Sequence, residues 1–325
     1  MSARHAGLMA ALASLWGASY LLIKYALEDL SPAVIVCSRT ALGAAVLYAL
    51  IHAQRGARRE TGAAVAEMRR RPGTAALFGL LAIAAPFLLI AVGEREVPSG
   101  LTAVLIASAP LFVAAFAPFL DRSEIATPKQ GAGLVLGLAG VALLVGVETV
   151  STLAEFLSAI GIIGAAACYT LSTFMVKRAY RGLPSLATSF VSVGAGALLT
   201  LPFALATLPD EAPGRRAVIS VVVLGIAGTA LAFVIFYRLI AEMGAARASL
   251  ISYLIPPISL AYGAILLDEA ITPAAIGALL LIMVGVALGS SRGEPQPAPE
   301  GAEAGAAEHD DDEARSAALS GRGSA

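Results

Sequence analysis

Ten stretches of the chain are apolar enough to cross a bilayer: approximately 7–27, 33–53, 74–93, 99–120, 128–146, 154–176, 184–207, 217–238, 245–267 and 272–290. A hydrocarbon core of ~30 Å takes ~20 helical residues at ~1.5 Å each. In lipid a backbone must satisfy its own N–H and C=O groups, which leaves helices or closed barrels. These runs are rich in Ala and Leu and lack the period-two alternation of barrel strands. The expectation is an all-α integral membrane protein with ten transmembrane helices. Composition agrees: 14% of the residues are charged, against roughly 25% in soluble domains, and mean hydropathy is +0.81. The first run continues through "LMAALASLWGASYLLIKYAL". That is too long for the apolar core of a signal peptide, so it reads as a retained membrane helix.

The chain also repeats itself. "SEIATP" at 123–128 returns as "DEAITP" at 268–273, and "GVAL" at 140–143 returns at 285–288. Glu124, Thr127 and Pro128 therefore pair with Glu269, Thr272 and Pro273 at one constant offset, the mark of an internal duplication. Each copy holds five spans, 7–146 and 154–290. An odd number of spans per copy threads the second copy through the membrane in the opposite sense, an inverted repeat of the kind secondary transporters use. "YLLIK" ending at Lys24 corresponds to "TFMVK" ending at Lys177. Thr127 and Thr272 are placed to cap helices whose first turns begin at Pro128 and Pro273. Glu124 and Glu269, just before them, are read as anchors of the turn at the membrane boundary.

Orientation follows from the basic residues. With the N-terminus in the cytoplasm, inside segments hold fifteen of them, from Arg4 to Arg292, and outside segments hold Arg95, Arg215 and Arg216. This bias places both termini inside, in a cell membrane. Residues 1–6 form a short cytoplasmic start. Residues 291–325, rich in Pro, Gly, Ala and Glu, read as a disordered acidic cytoplasmic tail.

Several functions are disfavoured. Net charge is −1 and there is no basic patch, so nucleic acid is not an expected partner. Cys37 and Cys168 lie singly in apolar runs, and His5, His52 and His309 lie near helix ends or tails, so neither a metal nor another cofactor is expected. No Walker A pattern and no constellation of catalytic residues at one membrane depth is visible, which argues against an ATPase or a membrane enzyme.

"WGASYLLIK" after an apolar start, Ser31, Pro32 and Arg39 leading into the second helix, Pro110, and Glu124 before a glycine-bearing fifth helix recur as a doubled pattern. They resemble the EamA family of the drug/metabolite transporter superfamily over about residues 7–290. The resemblance implies ten helices in two inverted five-helix repeats and cytoplasmic termini. It also implies export or exchange of small metabolites, often amino acids, through a central cavity, without fixing the substrate.

Three polar stripes are the cavity candidates: Trp16, Tyr20 and Lys24 on the first helix; Tyr169, Thr173 and Lys177 on the sixth; Ser249, Ser252, Tyr253 and Pro256 on the ninth. Packing or interfacial anchoring is the competing reading for the aromatics, and helix contact for the serines. Pro86, Pro110, Pro256 and Pro257 fall inside predicted helices and are candidate hinges or gates. Arg39 lies about 10 Å into the second helix at ~1.5 Å per residue, where burial costs at least ~2.5 kcal/mol. An ion pair with Glu28, Asp29, Glu94 or Glu96 is expected to compensate it; a substrate-carboxylate or gating role is the sharper alternative. No carboxylate is predicted near the middle of a span, which disfavours a midplane proton relay. The expected function is a secondary transporter for amino acids or related small metabolites. A sugar-phosphate or nucleotide-sugar carrier and a non-transporting membrane protein are the alternatives. The small-residue faces can pack within one chain or form a homodimer.

Overall fold

The computed structural model describes residues 3–109, 111–112, 115–116, 128–148, 152–179, 184–243 and 251–289. Every regular element among them is helical. Pro110, Glu124, Thr127, Ser249, the tail 291–325 and the side chains of Pro128, Lys177 and Ser252 lie outside the described residues. The helices are α1 (Ala3–Leu27), α2 (Pro32–Ala53), α3 (Arg55–Arg70), α4 (Pro72–Gly93), α5 (Ser99–Ile106), α6 (Pro128–Glu148), α7 (Leu153–Ala179), α8 (Ser185–Ala206), α9 (215–243), α10 (Ile251–Leu266) and α11 (Pro273–Gly289). Six of them, α1, α2, α4, α7, α8 and α9, contain spans long and apolar enough to cross a membrane; α6, α10 and α11 contain shorter apolar stretches.

Helix starts follow local chemistry. Ser31 accepts the Val34 N–H at 3.3 Å ahead of Pro32, and Thr272 accepts the Ala275 N–H at 3.1 Å ahead of Pro273. Thr152 and Glu155 exchange reciprocal bonds of 3.1 and 3.2 Å, a capping box opening α7. One helix lies outside the ten expected spans: residues 55–70 form α3, a charged amphipathic segment that counting apolar stretches passes over.

Two helices carry a π-helical turn at corresponding places, Leu80–Ala84 in α4 and Ile226–Leu231 in α9, starting 146 positions apart. In α4 the cause is Pro86, buried just beyond the turn, which has no N–H to return to the Ala82 carbonyl. In α9 the Thr229 hydroxyl donates to the Leu224 carbonyl at 2.9 Å, filling the loosened ladder from a side chain. Pro256 and Pro257 both lie inside a continuous α10, Pro256 buried and Pro257 exposed.

The packing joins one copy of the repeat to the other. The most extensive contacts pair α6 with α11, α2 with α8, α1 with α10 and α9, α4 with α7 and α8, α2 with α9, and α5 with α10. Three of these pairs, α6–α11, α2–α8 and α5–α10, join corresponding helices of the two copies. Exchanging the copies turns α1–α9 into α4–α7, and turns α1–α10 into the smaller α5–α7 contact. Corresponding helices run antiparallel. Along α2 and α8, Ser31 bonds Thr207 at 2.7 Å and Cys37 reaches the Ala197 carbonyl at 3.6 Å, one number rising as the other falls. Along α6 and α11, Gly140 faces Ala278–Ile282 while Gly285 faces Gly133 and Gly137. These two glycines open the repeated "GVAL". Their missing side chains let the backbones touch: a Cβ on Gly285 would stand 2.6 Å from Gly133 O and Gly137 N. Gly285→Leu is expected to destabilise by about 1–3 kcal/mol through overpacking, read as a lower unfolding midpoint in detergent. Leucine at Gly194, which meets nothing within 4 Å, is the control.

Candidate transport site

A buried group of polar side chains gathers where both repeats meet. Tyr20 and Lys24 come from α1, Arg39 from α2, Glu94 from the end of α4, and Tyr169 from α7. Tyr20 and Arg39 lie close enough to act on each other, on Glu94 and on Tyr169, and Lys24 is the leading charge acting on Glu94. Arg39 is 4% exposed and Glu94 0%. Apolar side chains fill the surroundings: Ile35, Val36, Ala91 and Ala165 pack into the same cluster, with Phe87 and Tyr169 against its edge.

The expected ion pair for Arg39 is not what forms. Its Nε and Nη2 donate to the Thr229 hydroxyl at 3.4 and 3.3 Å, and its guanidinium lies over the Phe87 ring at 4.3 Å from the centroid. Glu28 instead pairs with Arg216 at 3.4 Å, and Asp29 accepts the Gly214 N–H at 2.8 Å. The physical reason is reach. Glu28 and Asp29 sit in the turn after α1, where they meet the start of α9, while Arg39 sits two turns deeper, level with the Ile226–Leu231 π turn and with Phe87. Arg39 thus ties α2 to α4 on one side and to α9 on the other.

Glu94, expected only as one of four possible ion-pair partners for Arg39, is itself fully buried, and neither carboxylate oxygen has a hydrogen-bond partner among the described residues. Neighbouring Gly93 explains the depth, since it lets α4 approach Ile162 and the Ser158 carbonyl of α7. The repeated-turn residue Glu269 also reaches further than a local anchor. It accepts Ser99 N at 2.7 Å, Ser99 Oγ at 3.0 Å and Gly100 N at 3.0 Å, capping α5 of the other copy. Asp268, at φ 54°, turns the chain so that Glu269 can do this.

The remaining candidates separate from the cluster. Trp16 meets Phe236 in a tilted contact at 5.2 Å and Phe233 edge-on at 6.2 Å, packed against the core formed by α1, α9 and α10. Thr173 is exposed and donates to the Tyr169 carbonyl at 3.0 Å. Tyr253 packs against a different core, with Leu105 and Leu260. Of the first stripe, Tyr20 and Lys24 join Arg39; of the second, Tyr169 does. Thr229 and Phe87 were not anticipated. Their only signal was placement beside corresponding π turns, which no residue pattern announces.

Polar contacts also tie helices together at both ends of the described bundle. At the Glu28 end, Arg216 covers the Tyr25 ring at 4.6 Å and the Tyr25 hydroxyl donates to the Leu266 carbonyl at 3.0 Å. At the other end, Glu242 accepts from Arg238 at 2.8 Å and Arg4 at 3.3 Å, and meets His5 at 3.1 Å. The Arg238 hydrogen bond, then that to His5 and the charge of Arg4, hold the Glu242 carboxyl below its ordinary range. A lowered carboxyl stabilises its contacts above the unfolded value of about 4.3 and loses them as pH falls through the folded value. Protection of the first α1 turn from hydrogen exchange is therefore expected to be steady at neutral pH, to fall on acidification below that range, and to weaken in high salt.

The EamA-like transporter family model matches this chain twice, over residues 5–146 and 156–291. An uncharacterized transporter, YoaV, of Bacillus subtilis is 24% identical over 275 residues, covering 84% of this chain and 91% of its own. A probable terminal-alkyne amino-acid exporter of Streptantibioticus cattleyicolor is 28% identical over 279 residues, covering 84% and 89%. A solved crystal structure aligns with TM-score 0.62 at 18% identity over 89% of this chain and 96% of that one, a likeness of fold. With a family match over both halves, apolar spans and a polar cluster shared between the halves, the chain belongs to the EamA-like transporter family and is a multi-pass membrane transporter.

Proposed function

We propose that this chain exports amino acids or related small metabolites by alternating access. In this reading ten helices form two inverted five-helix repeats in the cell membrane, with both termini cytoplasmic and the solute passing between the repeats. No cofactor is required. The observation that carries the reading is the buried charged cluster to which α1, α2 and α4 of one copy and α7 and α9 of the other all contribute. Rocking one copy against the other changes access to such a site without rebuilding it. A cluster holding both cations and a carboxylate suits a zwitterion better than a sugar phosphate, because Arg39 is already engaged with Thr229 and Phe87. The relative named as an amino-acid exporter supports the same class of solute.

The test is counterflow in vesicles reconstituted with the purified full-length chain. Vesicles loaded with a mixture of L-amino acids are expected to accumulate labelled ones faster than empty vesicles, saturably. Equal accumulation with and without protein for every amino acid rejects the reading.

A further inference from the structure

Glu94 bears a carboxyl for which the described residues provide no donor. It is fully buried, neither oxygen has a hydrogen-bond partner, and it caps the C-terminal end of α4, the negative end of the helix dipole. The charged and titratable groups acting on it are Lys24 and Tyr20 from α1, Arg39 from α2 and Glu269 from the turn before α11, with Tyr169 of α7 beside Tyr20 and Arg39. Arg39 is engaged with Thr229 and Phe87, and Glu269 with Ser99 and Gly100. Of these charged groups, Lys24 and Glu94 are the two without a hydrogen bond or ion pair among the described residues. They act on each other yet do not close an ion pair.

We propose that Glu94 is an exchange site at which a proton and the ammonium group of the solute alternate, with Lys24 receiving the solute's carboxylate. The inference rests on the amino-acid reading above. Lys24 and Arg39 compensate the Glu94 charge only from a distance, and a buried carboxylate with no hydrogen-bond donor and no closed ion pair is too costly to persist, so it must be neutralised in every occluded state. Two neutralisers are available in turn. When the solute binds, its ammonium replaces the proton, which leaves to the compartment then open. When the solute departs on the far side, the carboxylate takes a proton from that side. One proton moves opposite to each solute molecule, so inward proton movement drives export.

Infrared difference spectroscopy of the full-length protein in nanodiscs tests this, with a mixture of L-amino acids as the probe. The expected result is a protonated-carboxyl band in the wild type that is lost in Glu94→Gln, kept with a shift in Glu94→Asp, and diminished by the amino acids. In vesicles, an imposed pH gradient is expected to accelerate wild-type flux and to lose that effect in Glu94→Gln. A band that is the same in wild type and Glu94→Gln overturns the exchange site, whether or not amino acids are transported. A band that belongs to Glu94 but ignores the amino acids, in a protein with no amino-acid flux, overturns the ammonium half together with the reading it rests on.

Discussion

Alanine at Arg39 is expected to destabilise the protein by about 3–5 kcal/mol, the range for removing one member of a buried charged cluster. Three losses combine. Thr229 loses its donor, the Phe87 face loses a cation, and Glu94 loses one of its two compensating charges. Companion variants separate them. Lysine keeps the charge but is a point donor without a planar fork, so it cannot lie on Phe87 and bond Thr229 together; it is expected to recover less than half of the loss. Methionine restores volume without charge. If it recovers most of the stability while flux falls, the guanidinium serves transport and the packing serves the fold. Unfolding midpoints in detergent, with flux normalised to protein level, provide both readings. Full stability and normal flux in the alanine variant remove Arg39 from any clamp or gate.

The second large effect is expected at Glu269. Its carboxylate takes two backbone N–H groups and one hydroxyl at the start of α5. Hydrogen bonds to a charged group contribute about 1.5–3 kcal/mol each at most, and leaving buried donors unpaired costs more than the bond itself returns. Glu269→Ala is therefore expected to destabilise by about 3 kcal/mol, and Glu269→Gln by about half as much, since an amide oxygen can still accept. The effect is expected at α5 rather than α11, where Thr272 caps independently. Hydrogen exchange of Ser99–Ile106 checks it. Unchanged protection of that segment in Glu269→Ala shows that the cap does not hold α5. Gly263 adds a route to the same end, because a Cβ there would collide with the Glu269 carboxylate.

Six of the ten expected spans were legible as helices long enough to cross, because lipid imposes one rule, apolar stretches of sufficient length ended by charges and prolines; the stretch expected as one span over 99–120 instead turns after Ile106. The duplicated turn exposed the two-copy plan for a similar reason. Thr272–Pro273 is a helix start wherever it stands, and the "GVAL" glycines are needed wherever two backbones must touch. The site was legible only in part. Tyr20, Lys24, Arg39 and Tyr169 are polar residues in apolar surroundings, and they can be picked out by that contrast. Their partners could not be. Thr229 and Phe87 look ordinary in sequence, and Glu94 looks like a boundary residue.

The amino-acid order alone determined that this chain is helical, suited to lipid and built twice, because those properties follow from local polarity and from repetition. Only the tertiary structure decided which charges meet. Arg39 meets Thr229 instead of a carboxylate, Glu269 caps a helix 170 positions away, and Glu94 is sealed from water without a partner among the described residues. Pairing of that kind depends on how helices from the two copies cross and on how closely glycines let them approach, and those distances are set by packing across the fold rather than by neighbours along the chain.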